Sequence, residues 1–326
     1  MKIIIRLLLA AAVFAGLSGA PSRAAETIRL AVQKTGTFAW ELAVIRAHGL
    51  DRKADLELQV QELANPEAGK VALRAGAADI IVSDWLWVSR ERALGAKLTF
   101  YPYSSALGAV MVPNASPIRT LADLRGRKLA VAGGPIDKNW LLLQASMKQD
   151  GIDLKSASTI VYGSPPLLAA KTLSGEMDAN LNYWNFCAAL EAKGFRRLTA
   201  LEDLLPKLGA RGRTAMIGYV FDERWASAHS DAVARFIGIT RGAKQILATS
   251  DAEWENIAPL TGVRDAATLR AYRDRYREGI PRRPIDDEEA DARVLYRVLA
   301  ATGGPEIVGP AQQLDPGTFY RAASGD

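Results

Sequence analysis

Cysteine is nearly absent from this chain: a single residue, Cys187, in 326. That excludes an internal disulfide, and in the stretch Trp-Asn-Phe-Cys-Ala-Ala-Leu the thiol reads as a small buried apolar group rather than a nucleophile. Histidine is equally scarce. His48 and His229 are expected near helix ends, exposed, and neither is placed to serve as a base for Cys187. There is no phosphate-cradling loop of the P-loop type, no nucleophile elbow and no metal-ligand spacing; Asp84 with Asp137 is too thin a basis for a metal site. No catalytic residue, metal or cofactor is therefore expected. A clustered basic face is missing too, so nucleic acid is not expected as a partner. Long apolar runs are lacking beyond the first two dozen residues, and even there Leu7 to Ala20 is too short to cross a hydrocarbon core of about 30 Å as a helix.

That first stretch has the layout of a cleaved leader. Lys2 and Arg6 precede the apolar run, and Ser22-Arg23-Ala24 supplies small residues for signal peptidase. Residues 1–24 are expected to be removed after Ala24. No cysteine lies nearby for a lipid anchor, so the mature chain is expected free in the periplasm, as a monomer. The formal charge of +5 then falls, because Lys2, Arg6 and Arg23 leave without an acid; 38 basic against 36 acidic residues give +2.

The remaining chain carries a weak duplication. Leu30-Ala31-Val32 is matched by Leu129-Ala130-Val131, and Gly76, Asp79, Trp85 and Trp87 are matched by Gly175, Asp178, Trp184 and Phe186, all at an offset of 99 residues. Each copy alternates strands and helices. The first reads strand 27–33, helix 38–48, strand 56–62, helix 66–75, strand 79–83, a helix through Arg90 and strand 97–103. The second reads strand 128–132, helix 138–149, strand 158–162, helix 166–173, strand 178–181, helix 184–193 and strand 195–198. Such alternation predicts an α/β fold of two lobes, each a small doubly wound, mainly parallel sheet. Strand-like runs at 106–113 and 214–221 are expected to cross between the lobes and form a hinge. A helical tail follows, with helices at 231–248, 251–258, 265–277 and 287–301, each opened by an Asp cap or first-turn acid. Lobe 1 is expected to comprise 25–107 and 217–326, with the tail, and lobe 2 to comprise 108–216.

The run Thr120-Leu121-Ala122-Asp123-Leu124-Arg125-Gly126-Arg127-Lys128-Leu129-Ala130-Val131 resembles the segment that opens the second lobe in periplasmic binding proteins of nitrate, sulfonate and taurine importers, a group that includes binders of thiamine pyrimidine precursors. Ala72-Leu73-Arg74-Ala75-Gly76-Ala77-Ala78-Asp79 and Leu173-Ser174-Gly175-Glu176-Met177-Asp178 resemble a second element of that group. The resemblance runs from about Ile28 to Phe221. It implies a type II periplasmic-binding clamshell that delivers a small-molecule ligand to an ABC permease. It does not imply which ligand. The loop from Gly133 to Trp140 departs from the hydroxyl-rich loop of many relatives, which weighs against a simple oxyanion.

In open α/β sheets, ligands bind beyond the carboxyl ends of strands. Four loops meet that condition and give the candidate ligand-binding residues. Thr35, Gly36, Thr37 and Phe38 precede a helix whose free N–H groups favour an electron-rich group, although Thr37 as a plain helix cap explains the pattern equally well. Asp84 and Trp85 follow the third strand. Gly134, Pro135, Asp137 and Trp140 open another helix, where Asp137 reads equally as an N-cap. Tyr183, Trp184 and Asn185 end the set. Aromatic rings at these junctions can sandwich a planar ligand or a cation; packing between the lobes is the competing account, and is preferred for Trp40 and Trp87. Asp84 and Asp137 can pair with a cationic group or neutralise Lys34 and Lys138. Asp79 and Asp178 read as structural turn residues. A small, partly aromatic or amine-bearing organic ligand is favoured, an alkylsulfonate-like oxyanion second. A ligand sensor for a membrane receptor is the alternative use of the same closing motion, and a pyrimidine-synthase-like enzyme lacks its histidine.

Overall fold

The structure, a computed structural model, describes residues 25–33, 36–63 and 65–322. The expected leader at 1–24 and the candidate Thr35 lie outside these residues.

The chain opens with β1 (Glu26–Gln33), α1 (Phe38–Ala47), α2 (Leu50–Lys53), β2 (Leu56–Leu63), α3 (Pro66–Arg74), β3 (Ile80–Asp84), α4 (Trp85–Ala93) and β4 (Leu98–Ser104). It crosses into β5 (Gly108–Pro113) and repeats the plan with β6 (Lys128–Ala132), α5 (Lys138–Gln149), α6 (Leu154–Ala157), β7 (Thr159–Gly163), α7 (Pro165–Leu173), β8 (Ala179–Tyr183), α8 (Trp184–Glu191) and β9 (Phe195–Ala200). It returns through β10 (Ile217–Asp222) to α9 (Glu223–Ala228), α10 (Ser230–Thr249), α11 (Asp251–Thr261), α12 (Ala266–Glu278), α13 (Ile285–Gly303) and α14 (Pro305–Val308).

These strands make two five-stranded sheets, ordered β2-β1-β3-β10-β4 and β7-β6-β8-β5-β9. The α/β fold of two mainly parallel sheets is thus present, with one reversed strand in each. The crossing strands are not edge additions. β10 lies antiparallel between β3 and β4, and β5 lies antiparallel between β8 and β9. Each needs a glycine where neighbouring chain comes closest: a Cβ at Gly108 would strike the Asn182 carbonyl, and one at Gly218 the Phe100 ring.

The duplication has a hydrogen-bonded counterpart. The Asp79 carboxylate accepts from the Arg29 backbone N–H at 2.8 Å, and the Asp178 carboxylate from the Lys128 N–H at 2.7 Å. In return each aspartate's own N–H donates to the Arg29 or Lys128 carbonyl. Both acids clamp the first strand of their copy of the duplication to the turn before its third strand.

Local chemistry sets most helix starts. Asn65 caps α3 ahead of Pro66, Asp222 caps α9, Ser250 caps α11 and Asp265 caps α12. α11 passes its expected stop at Ala258 and runs through Pro259 to Thr261. Proline removes one helix hydrogen bond there, but the carbonyl it frees belongs to Glu255, which faces solvent. Gly262, at φ 70°, then ends the helix. The tail does not stay with one sheet: α10 packs on α1, whereas α12 lies against α8 and α13 against α5.

Candidate ligand-binding cleft

The loops at the carboxyl ends of β1, β3, β6 and β8 confront one another, and the helices they start are held by different means. Asp84 caps α4 by accepting from the Trp87 N–H at 2.8 Å. Asp137 caps α5 by accepting from the N–H groups of Asn139 and Trp140, at 2.9 and 3.3 Å, so its capping role is real. Its second oxygen accepts from the Tyr183 hydroxyl at 3.0 Å. Gly133, at φ 89°, makes room for that contact: a Cβ there would lie 2.7 Å from both Asp137 and Tyr183 side-chain oxygens. Thr37 behaves otherwise. Its hydroxyl makes no cap bond to α1 and instead shares a hydrogen bond of 2.8 Å with the Tyr103 hydroxyl.

One ion pair ties the two sets of loops. Lys138, first residue of α5, places Nζ 3.1 Å from the Asp84 carboxylate. Burial alone would raise the Asp84 pKa, but the ammonium groups of Lys138 and Lys70 and the Trp87 N–H hold it below the ordinary value. For Asp137 burial wins, and its pKa is raised.

A small cavity is lined by Thr37, Tyr103, Ser104, Ala106, Trp184, Lys244, Tyr276, Gly279 and Ile280. Its free space suits about one water molecule. Trp184 is the wall contributed by the β8 loop. Its ring stands edge-on to Trp40 at 5.9 Å and to Tyr272 at 6.1 Å, with Trp40 stacked on Tyr272 behind it. The facing wall is a buried polar cluster around Glu41, a wholly buried residue of α1. Its carboxylate accepts from Lys244 Nζ at 2.6 Å, Tyr219 Oη at 3.0 Å and Tyr276 Oη at 2.6 Å. Lys244 Nζ also donates to Tyr219 Oη at 3.1 Å and sits 4.3 Å from the centre of the Tyr103 ring. Burial lowers the Lys244 pKa, with Glu41 opposing; burial and then Glu41 push Tyr103, Tyr219 and Tyr276 well above the usual phenol range. A buried charge pair this well hydrogen-bonded is rigid, and it fixes two cavity-lining side chains, Lys244 and Tyr276.

Of the candidates read from the sequence, Thr37 and Trp184 line the cavity together. Gly36 forms the turn before α1, and Phe38 is buried edge-on to Tyr103 and Tyr219. Asp84, Asp137 and Tyr183 belong to one polar chain through Lys138. Gly134 is buried, Pro135 exposed and Asn185 half-buried. Trp85 and Trp140 are not brought to the cavity: both rings are buried in the interior, Trp85 completely and Trp140 against Tyr162. Tyr103, Lys244, Tyr276 and Glu41 were not among the candidates. The signal for two of them was a charge inside an apolar run, Glu41 in Phe-Ala-Trp-Glu-Leu-Ala-Val-Ile and Lys244 on the Phe236–Leu247 face of α10.

The two histidines and the cysteine lie elsewhere. His48 pairs with Glu253 at 3.0 Å and His229 with Glu26 at 2.8 Å, both away from the cavity lining. Cys187 is wholly buried, its thiol donates to the Asn182 carbonyl, and burial pushes its pKa up to about 12. Among the described residues no group of three or more His, Cys, Asp or Glu could hold a metal ion, and no helix is long and apolar enough to cross a membrane.

The NMT1/THI5 like family matches residues 42–252. No curated protein matches the chain in sequence. Among solved structures, the alkanesulfonate-binding protein SsuA from Xanthomonas axonopodis pv. citri, bound to MOPS, is similar at 21% identity and a TM-score of 0.67, covering 91% of this chain and 98% of that one. The periplasmic aliphatic sulphonate binding protein SsuA from Escherichia coli is similar at 19% identity and a TM-score of 0.70, covering 91% and 94%. A desulfurization enzyme, DSZB, shares the fold at 16% identity and a TM-score of 0.56, covering 88% and 97%.

Proposed function

The chain belongs to the NMT1/THI5 like family, and from that premise we propose that it is the periplasmic solute-binding component of an ABC importer, which captures a small organic molecule between its lobes and delivers it to the permease. The lobes are residues 25–107 with 217–326, and residues 108–216. One observation carries the reading: the cavity walls come from both, with Thr37, Tyr103, Lys244 and Tyr276 on one side and Trp184 on the other. These walls leave room for about one water molecule in this structure, so an organic ligand enters with the lobes apart and touches both walls as they close around it, which shifts the population toward the closed form. The two crossings, through β5 and β10, are the natural pivots. We read the chain as a binder rather than a catalyst because the residues around the cavity are a satisfied ion pair, hydroxyls and aromatic rings, whereas both histidines are engaged with carboxylates elsewhere.

Native mass spectrometry of the mature protein tests this. A discrete small mass, retained on the folded chain and released by unfolding, is the expected result. Trp184→Ala should abolish its retention while lowering stability by only about 1–3 kcal/mol, since the ring is half-buried. Undiminished retention in that variant would remove Trp184 from the site and return it to lobe packing.

A further inference from the structure

We propose that the two lobes latch onto each other without a ligand, through two ion pairs that lie outside the cavity lining: Lys138 with Asp84 between the loops, and Arg275 with Glu191 between two helices. The latch rests on the solute-binding reading for its two lobes, residues 25–107 with 217–326 against residues 108–216. Each pair takes one member from each lobe, and each member is oriented by its own lobe first. Asp84 caps α4 through the Trp87 N–H, and Lys138 opens α5 beside Asp137. The two charges meet at 3.1 Å. Between the helices, the Arg275 guanidinium grips the Glu191 carboxylate through two nitrogens, at 2.9 and 2.8 Å. Glu191 also accepts from Arg197 of β9 at 2.7 Å, and Arg275 also donates to Glu278 at 2.8 and 2.9 Å.

α12, which carries Arg275, is fixed to the first lobe. Tyr276 donates to Glu41 at 2.6 Å, Tyr272 is stacked on Trp40 at 5.7 Å, and Arg277 donates to the Leu247 carbonyl at 3.0 Å. Parting the lobes along this division separates α12 from α8, and Arg275 from Glu191. An isolated surface ion pair contributes little, because ordering two long side chains offsets the attraction. Here the side chains are ordered beforehand, one pair is bidentate, and none of the four groups is exposed. The cavity walls already meet around a space of about one water molecule, so a ligand enters only after both pairs have parted.

Ser104 lines the cavity and supplies the test. A thiol introduced by Ser104→Cys is reached by a bulky maleimide only while the lobes stand apart. Its alkylation rate, read by mass spectrometry, therefore follows the open fraction however small that fraction is. Cys187 is wholly buried within one lobe and reports unfolding in the same spectrum. In the mature chain, refolded from urea to remove any ligand, the introduced thiol should react at least about tenfold more slowly than in the unfolded chain. Asp84→Asn keeps a cap on α4. That change and Glu191→Gln should each speed the reaction at least about threefold, and together about tenfold, with Cys187 still unreactive. If Asp84→Asn exposes Cys187 as well, Glu191→Gln alone decides. A thiol that reacts at the unfolded rate with Asp84 and Glu191 intact overturns the latch, and so does a rate that neither substitution changes. Native mass spectrometry separates the two readings. A latched chain that never retains a small molecule loses the solute-binding role; one that retains it, yet reacts at the unfolded rate once stripped, loses only the latch.

Discussion

Glu288 offers a sharp test of the energetics of burial beside β10. It sits in the first turn of α13 with about 1% of its surface exposed, and one carboxylate oxygen accepts from the Ala215 N–H at 2.7 Å, just ahead of β10. The other oxygen is buried with no partner. Burial is the main cause that raises its pKa from 4.5 to about 7, against the Ala215 N–H and Arg283 and with help from Asp291 and Asp287. Because the folded value lies above the unfolded one, the protonated carboxyl is the form the fold prefers. Its contribution is fully present below the unfolded pKa and is lost as pH rises through about 7. The rise from 4.5 to about 7 corresponds to about 3 kcal/mol. Glu288→Gln keeps the shape and the acceptor for Ala215 but cannot ionise. In urea unfolding near pH 4 the two proteins should match to within about 1 kcal/mol; near pH 8 the variant should be more stable by about 3 kcal/mol. Parallel stability curves across that range would refute a buried, proton-seeking carboxyl at this position.

Two further substitutions probe the scaffold. Gly108→Ala and Gly218→Ala each push a methyl group into neighbouring chain beside a crossing strand, and each should cost at least about 3 kcal/mol in thermal or urea unfolding; a loss below about 1 kcal/mol would show that the crossings have slack. Asp79→Ala and Asp178→Ala test whether the duplicated clamp is equivalent. Each strips the acceptor from a strand N–H, worth about 1–3 kcal/mol, and Asp79 also loses the Arg29 guanidinium. Because that arginine is half exposed, the difference between the two should stay within about 1 kcal/mol. A much larger gap would show that the two copies have diverged energetically.

The duplication made most of the fold legible. Leu-Ala-Val strands, turn aspartates and helix caps are local signals, and they fall in the same order in both copies. The cavity was only half legible, for a reason that Trp85 and Trp184 make plain. They occupy the same register, the first helical residue after a third strand, yet one ring is sealed in the interior and the other walls the cavity. The residue type announces an aromatic contact and leaves open with what. Tyr103, Lys244 and Tyr276 come from β4, α10 and α12, and nothing near them in sequence resembles a binding motif. They meet only because Glu41 needs donors once α1 is buried, a demand that exists in the assembled protein and not in any single segment.

The placement of β10 also dictates an order of assembly. The second sheet is built from one continuous stretch, β5 through β9, so all its strands are available once Ala200 has emerged. The first sheet cannot close so early. β4 pairs within it only with β10, and its other edge is covered by the C-terminal segment, where the Phe100 N–H donates to the Thr318 carbonyl and the Tyr320 N–H to the Phe100 carbonyl. A chain delivered from its N-terminus must therefore hold β4 without either neighbour until everything after it has arrived. In a two-ended molecule of this kind, the half that begins first is the half that finishes last.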